Sequence, residues 1–168
     1  MDDDLISFAD EGPQEEPAAQ AAEPWRLLVV DDDADVHKVT YLALKNFLVL
    51  QRPIALSNAY SGQEALHQIN THHSALPDLV LMDVVMDSPT DGIDTVHKIR
   101  SELHLLEIPY VIMRTGQAGT SFELHDLRKD VHIDSVMSKA EASAESLREA
   151  VAIGLVKGRD KCRLDAGR

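Results

Sequence analysis

Side chains that can hold a metal ion and an anion follow short apolar runs at several points in the chain. The carboxylates are those of Asp31, Asp32, Asp33 and Asp83. Thr115 supplies a hydroxyl, and Lys139 supplies an ammonium. Carboxylates packed together repel one another, and one would stay protonated unless a cation joined them. An oxygen-only ligand set suits Mg²⁺. A hydroxyl and an ammonium facing that metal would receive an anion with several oxygens, such as a phosphoryl group on a carboxylate.

The apolar runs alternate with helical patterns and therefore predict an α/β fold. Runs typical of buried strands cover residues 27–30, 54–60, 79–82, 110–113 and 133–137. Helical spacing of apolar residues covers 36–48, 61–69, 93–99, 122–130 and 147–155. Five strands alternating with five helices predict a doubly wound parallel sheet with helices on both faces. The carboxyl ends of its strands meet at one edge, where we expect the candidate side chains to converge.

The negative charge is concentrated at the start of the chain. The net charge is -13, and eight of the 29 carboxylates lie in the first 25 residues, which contain no Lys or Arg. This composition predicts a disordered acidic tail over residues 1–25. The remaining chain has a net charge of about -5. We expect one domain over residues 26–157, followed by a tail or helix extension over residues 158–168.

The composition also argues against several classes of protein. No apolar run reaches the ~18 residues of a membrane span, and the acidic start, Met1 to Asp4, resembles no export signal. No clustered basic face is present, so we expect no direct DNA binding. The one cysteine, Cys162, has no internal partner for a disulfide. We therefore expect a cytoplasmic protein that does not act at a membrane.

The order of these residues resembles the receiver domain of bacterial two-component response regulators, over roughly residues 26–157. The resemblance lies in the acidic pair Asp31-Asp32, in Asp83 after Val-Leu-Met, in Thr115 and in Lys139. The stretch Ala-Tyr-Ser-Gly-Gln-Glu-Ala-Leu at 59–66 is also similar to that family. The resemblance implies a flavodoxin-like fold and a phosphoprotein of two-component signal transduction, not an enzyme with turnover.

The resemblance further implies a Mg²⁺ site. Asp32 and Asp83 would bind the metal directly, together with the backbone carbonyl oxygen of Val85. Asp31 would act through a water molecule. For Asp33, the helix that follows suggests a simpler role as its N-cap.

For the phosphoryl group, the resemblance implies that Asp83 forms a 4-aspartylphosphate and that Thr115 and Lys139 hold its oxygens. The donor would be a sensor histidine kinase or a histidine phosphotransfer protein. Phosphorylation would then change the binding of a downstream protein or effector domain, or the formation of a homodimer.

The sequence departs from the family at four positions. Arg114 stands where an apolar residue is common, and Asp87 and Ala140 stand where the family has prolines. Val136 stands where the family has its aromatic switch residue. These changes leave the phosphorylation chemistry intact but put the output mechanism in question. The run Arg-Thr-Gly-Gln at 114–117 resembles receivers fused to cyclic-di-GMP phosphodiesterase domains.

Two alternatives remain. The chain could be the input module of a larger regulator with a cyclic-di-GMP-type effector. A more distant alternative is a haloacid-dehalogenase-type phosphatase, which also begins with a strand ending in Asp-x-Asp. That enzyme needs a further carboxylate pair after its last core strand, where this chain has Arg114 and Thr115.

Overall fold

A computed structural model describes residues 22–71, 75–105, 109–116, 132–140 and 142–165 of the chain. These residues form six strands and four helices. The strands are β1 (Trp25–Val30), β2 (Leu48–Val49), β3 (Arg52–Ala59), β4 (Leu79–Asp83), β5 (Tyr110–Thr115) and β6 (Ser135–Ser138). The helices are α1 (Ala34–Leu44), α2 (Gly62–Thr71), α3 (Asp91–Ser101) and α4 (Ala144–Asp165). Among the described helices, none has the length and apolar character needed to span a bilayer.

The strands form one sheet in the order β2-β3-β1-β4-β5-β6. The pairs β3–β1, β1–β4, β4–β5 and β5–β6 are all parallel, which confirms the predicted doubly wound parallel sheet. The sheet has one strand more than predicted, because β2 pairs antiparallel with β3 at the edge. β2 is only two residues long, and a strand that short leaves no periodic pattern in a sequence.

Two apolar clusters hold the helices against opposite faces of the sheet. One contains side chains of α2 and α3, including Ile69 and Ile99. The other contains side chains of α1 and α4, including Leu44 and Leu155. Residues of β1, β4 and β5 alternate between the two clusters. These three strands are therefore covered on both faces, which explains their nearly continuous apolar sequence.

The first helix differs from its prediction, which extended the helical pattern to residue 48. α1 ends at Leu44, and its buried residues are His37, Thr40, Ala43 and Leu44. Val39, one of the apolar residues at helical spacing in this segment, is 63% exposed. The apolar residues alone did not mark the buried face of α1, because that face includes the polar residues His37 and Thr40.

Three predicted segments lie wholly or partly outside the described residues. The predicted helix at 122–130 falls entirely there. Residues 1–21 of the predicted acidic tail and residues 166–168 of the predicted C-terminal tail also lie outside the described residues. β1 begins at Trp25, which is buried and was expected to be the last residue of the tail. At the other end, α4 continues past residue 157 to Asp165.

Gly92 lets α3 approach the strand that carries Asp83. The amide of Gly92 donates to the Val84 carbonyl oxygen at 3.2 Å. A Cβ at this position would lie 1.8 Å from the Asp83 carbonyl oxygen and 3.0 Å from the Val84 Cα. Both of these are backbone atoms, so they cannot turn aside as a flexible side chain could. The absence of a side chain at Gly92 therefore fixes where α3 begins relative to Asp83.

We predict that Gly92→Ala destabilises the domain by about 1–3 kcal/mol, since the backbone must move to admit the methyl group. Urea denaturation would measure the change. Gly116→Ala is the matched control, because a Cβ there would meet no described atom within 4 Å. Equal losses in the two variants would contradict the role given to Gly92.

Candidate functional site

The carboxyl ends of β1 and β4 bring three carboxylates together. Val30 lies opposite Met82 in the parallel register, so Asp31 and Asp83 follow at the same level of neighbouring strands. One carboxylate oxygen from each of Asp31, Asp32 and Asp83 lies within 4.8 Å of the others. Asp31 and Asp83 are buried, and Asp32 is exposed. Oxygen donors at this separation fit a hard divalent cation such as Mg²⁺, as the sequence predicted.

Lys139 supplies a positive charge to the cluster. Its Nζ lies 2.8 Å from Asp31 Oδ2 and 2.7 Å from Asp83 Oδ2. The Lys139 amide donates to the Thr115 carbonyl oxygen at 2.7 Å, which ties the lysine to the end of β5. One ammonium thus bridges two carboxylates that would otherwise repel each other.

The pKa values show how burial and charge compete here. The pKa of Asp83 is raised, first because burial disfavours the carboxylate and further because Asp31 is negative. The hydrogen bond from Lys139 opposes this shift without cancelling it. The pKa of Lys139 is itself raised: burial lowers it, but Asp31 and Asp83 together outweigh that effect. Proton uptake at Asp83 is therefore easier than at an ordinary aspartate.

The other residues singled out in the sequence lie at the end of β5, just after β4 and in β6. Thr115 is the last residue of β5 and is buried. Val85 is two residues beyond Asp83, and its backbone amide acts to lower the pKa of the Asp83 carboxyl, against the effect of burial. Val136 is half-buried in β6, opposite Met113, and packs against the α2–α3 cluster.

Asp33 belongs to helix α1 rather than to the carboxylate cluster. Its Oδ1 accepts the amide of Asp35 at 2.8 Å, so it is the N-cap of α1. Its own amide donates to Asp31 Oδ1 at 3.1 Å. The cap therefore contributes indirectly, by helping to orient the Asp31 carboxylate.

His37 is a contributor that the sequence did not reveal. It is buried in α1, and its Nε2 donates to the Asp31 carbonyl oxygen at 2.7 Å. That oxygen belongs to the rigid peptide unit between Asp31 and Asp32. Its Nδ1 lies 3.0 Å from Asn58 Oδ1, and its ring packs on Tyr60 with centroids 4.5 Å apart. His37 thus braces the backbone that joins two of the clustered carboxylates, and only its helical spacing from Thr40 marks it in the sequence.

A profile of the response regulator receiver domain matches residues 27–152, which is most of the chain. The chain belongs to this receiver domain family. The membership confirms the predicted resemblance and assigns the chain to receivers rather than to haloacid-dehalogenase-type phosphatases. Receiver domains bind Mg²⁺ at an acidic pocket and interact with histidine kinases and effectors.

This chain is similar to part of each of two curated relatives. It is 36% identical over 154 residues to the 3'3'-cGAMP-specific phosphodiesterase 2 of Vibrio cholerae, a match covering 92% of this chain and 29% of that protein. It is 28% identical over 129 residues to the response regulator protein VraR of Staphylococcus saprophyticus, covering 76% and 55% respectively. The chain thus spans roughly half or less of the length of these two relatives.

Solved structures share the fold. A CheY-like receiver domain protein from Methanospirillum hungatei superposes with a TM-score of 0.65 at 22% identity, covering 82% of this chain and 98% of that one. NtrX from Brucella abortus gives a TM-score of 0.68 at 22% identity, covering 86% of this chain and 30% of that one. At this identity, the likeness shows the flavodoxin-like receiver architecture.

The raised pKa of Asp83 predicts a pH dependence of stability in the absence of metal. The folded receiver holds the Asp83 proton more tightly than the unfolded chain, so stability is lost as pH rises through the folded-state pKa. Asp83→Asn removes this loss and should be more stable than the wild type at pH 7. Urea denaturation from pH 3 to pH 7 would show the advantage shrinking as the solution is acidified, and a pH-independent difference would contradict it.

For His37, we predict that His37→Ala costs about 1–3 kcal/mol of unfolding free energy, because a buried carbonyl loses its donor. The same variant should bind Mg²⁺ more weakly, since the peptide unit between Asp31 and Asp32 is released. Denaturation and titration calorimetry would measure the two effects. His67→Ala, at an exposed position of α2, is the control. Equal Mg²⁺ affinity in the two variants would show that His37 does not position the carboxylates.

Proposed function

We propose that this receiver accepts a phosphoryl group on Asp83 and thereby switches its interactions with other proteins. The observation that carries the proposal is the shared ammonium of Lys139, which contacts Asp83 and Asp31 at the edge of the sheet where Thr115 ends β5. A buried carboxylate with an ammonium and two further carboxylates around it, at the level where Thr115 ends the neighbouring strand, has the groups needed to bind a metal and an anion together.

In the proposed reaction, a carboxylate oxygen of Asp83 attacks the phosphorus of a phosphohistidine on the donor protein. An O–P bond forms as the N–P bond breaks, and the donor nitrogen keeps the electron pair of that bond and takes up a proton. The raised pKa of Asp83 makes it a somewhat stronger nucleophile when ionised than an ordinary aspartate. The reaction leaves a 4-aspartylphosphate on the receiver.

Mg²⁺ would be held directly by Asp32, Asp83 and the backbone carbonyl oxygen of Val85, and by Asp31 through a water molecule. Three clustered carboxylates support this assignment, because hard divalent cations prefer oxygen ligands. Bound there, Mg²⁺ would offset the charge of the phosphoryl oxygens. Asp32 is the exposed member of the cluster, which leaves the site open to the solution.

Lys139 and Thr115 would hold the phosphoryl oxygens after transfer. Lys139 already lies 2.7 Å from the Asp83 oxygen Oδ2, so a small displacement brings it to a group attached there. The Lys139 amide donates a hydrogen bond to the Thr115 carbonyl oxygen, so a movement of one residue would also move the other. The loop that follows Thr115, which we expect to carry the output because Val136 has no aromatic ring to rotate, lies largely outside the described residues.

The partners follow from this chemistry. The donor would be a sensor histidine kinase or a histidine phosphotransfer protein, and the target a downstream protein or an effector domain. The domain would be a phosphoacceptor with intrinsic self-phosphorylation and self-dephosphorylation rather than a turnover enzyme. The Vibrio cholerae phosphodiesterase favours an effector of the cyclic-dinucleotide type, since its similarity covers nearly the whole of this chain.

We predict that incubation with Mg²⁺ and acetyl phosphate adds one phosphoryl group to the wild type and none to Asp83→Asn. Asp33→Asn is the matched control, because it makes the same chemical change two residues from Asp31 and asparagine keeps the helix cap. Intact-protein mass spectrometry and phosphate-affinity gels would detect the group. Labelling of Asp83→Asn at the wild-type level would refute the assignment.

A further inference from the structure

Arg114 is a buried cation on β5 beside the carboxylate cluster. It is 7% exposed and stands where the resemblance to receivers predicts an apolar residue. Its Nη1 donates to Thr40 Oγ1 in α1 at 3.3 Å. Its Nε has no hydrogen-bond partner among the described residues. A buried, incompletely paired guanidinium is costly, so its presence calls for a physical explanation.

The sheet register places Arg114 in one row with two of the carboxylates. Asp83 lies opposite Arg114 in the β4–β5 pair, and Asp31 follows Val30 at the level of Asp83 in the β1–β4 pair. Adjacent strands are ~4.8 Å apart, so Arg114 stands one strand from Asp83 and two from Asp31.

The three side chains also point to the same face of the sheet. Each continues an alternation that sends Val29, Leu81 and Ile112 into the cluster packed by α1 and α4. The hydrogen bond to Thr40 of α1 places the guanidinium on that face. No ion pair within 4.0 Å joins Arg114 to a carboxylate among the described residues, whereas Lys139 makes two. Arg114 therefore acts on the carboxylates through its electric field rather than by contact.

Charge coupling between these groups agrees with the geometry. Burial lowers the pKa of Arg114, and the negative charges of Asp31 and Asp83 oppose that change. A guanidinium nevertheless stays protonated in proteins. Arg114 is thus a fixed positive charge, unlike Asp83, whose charge depends on pH.

We propose that Arg114 is an internal cation that weakens the affinity of the phosphorylation site for Mg²⁺. Arg114 and Mg²⁺ are attracted by the same carboxylates and repel each other, so the guanidinium stabilises the metal-free site and opposes metal binding. The inference rests on the proposed function, since it assumes that Asp31 and Asp83 bind the metal. Its consequence is that the receiver takes up Mg²⁺ at a higher concentration than it would with an apolar residue at this position.

The test compares variants that remove the charge with one that keeps it. Arg114→Met and Arg114→Gln should bind Mg²⁺ on the order of tenfold more tightly than the wild type, because a repelling charge about two strands away is removed. Arg114→Lys keeps the charge and should stay within about threefold of the wild type. Titration calorimetry with MgCl₂ measures the affinities, and Arg26→Met, at the opposite end of β1, is the control for net charge.

A second readout is the rise in melting temperature on adding saturating Mg²⁺, which should be larger in the neutral variants. Arg114→Met removes the hydrogen bond to Thr40 together with the charge, so Arg114→Gln, which can still donate to Thr40, carries the test if the methionine variant does not fold. If the wild type binds Mg²⁺ and the neutral variants bind it no more tightly, the inference is wrong while the proposed function stands. If the wild type and Arg26→Met both bind none, the proposed function fails, and this inference with it.

Discussion

The parallel register of β1 and β4 imposes the constraint on which this receiver depends, because it sets two aspartates side by side at a buried edge. Asp31 and Asp83 reach the same level of neighbouring strands, and Asp32 adds a third carboxylate within 4.8 Å. Such a group is unfavourable unless cations accompany it. Lys139 supplies one such cation, because its ammonium bridges the two buried carboxylates. Burial first, and then the negative charge of Asp31, keep the pKa of Asp83 raised, and the repulsion between the carboxylates favours a divalent ion at this edge.

The two edges of the sheet, where the strands end and where they begin, are held by different kinds of interaction. At the edge where the strands begin, the buried Arg100 donates to the carbonyl oxygens of Leu105, Pro109 and His132 and pairs with Asp134 at 3.0 Å. These bonds tie the segments that lead into β5 and β6. The edge that bears the carboxylates instead uses backbone contacts, such as the approach of α3 permitted by a glycine. The carboxylates are thus placed by the ends of sheet strands, and Lys139 reaches two of them from the position just after β6.

The face of the site toward α1 is more polar than the apolar pattern of the chain suggests. His37 and Thr40 lie one turn apart on the buried side of α1, where they bond to Asp31 and Arg114. Both interactions link the helix to the ends of strands. A polar layer of this kind is worth burying only when its members are paired. These bonds hold the peptide unit between Asp31 and Asp32 and fix the position of the Arg114 guanidinium near the carboxylates.

The sequence by itself determined the strands that carry the site, since apolar runs ending in Asp31, Asp83 and Thr115 allow few other structures, and it identified Lys139 by its place in the same order. It also set Asp33 apart as a helix cap. It could not predict β2, which is too short for a periodic pattern, nor the inner face of α1, where His37 and Thr40 are polar. Only the tertiary structure showed that Arg114 stands in one row with Asp83 and Asp31. A sequence records which side chain a strand carries, but strand pairing decides which charges become neighbours, and electrostatic coupling depends on that distance.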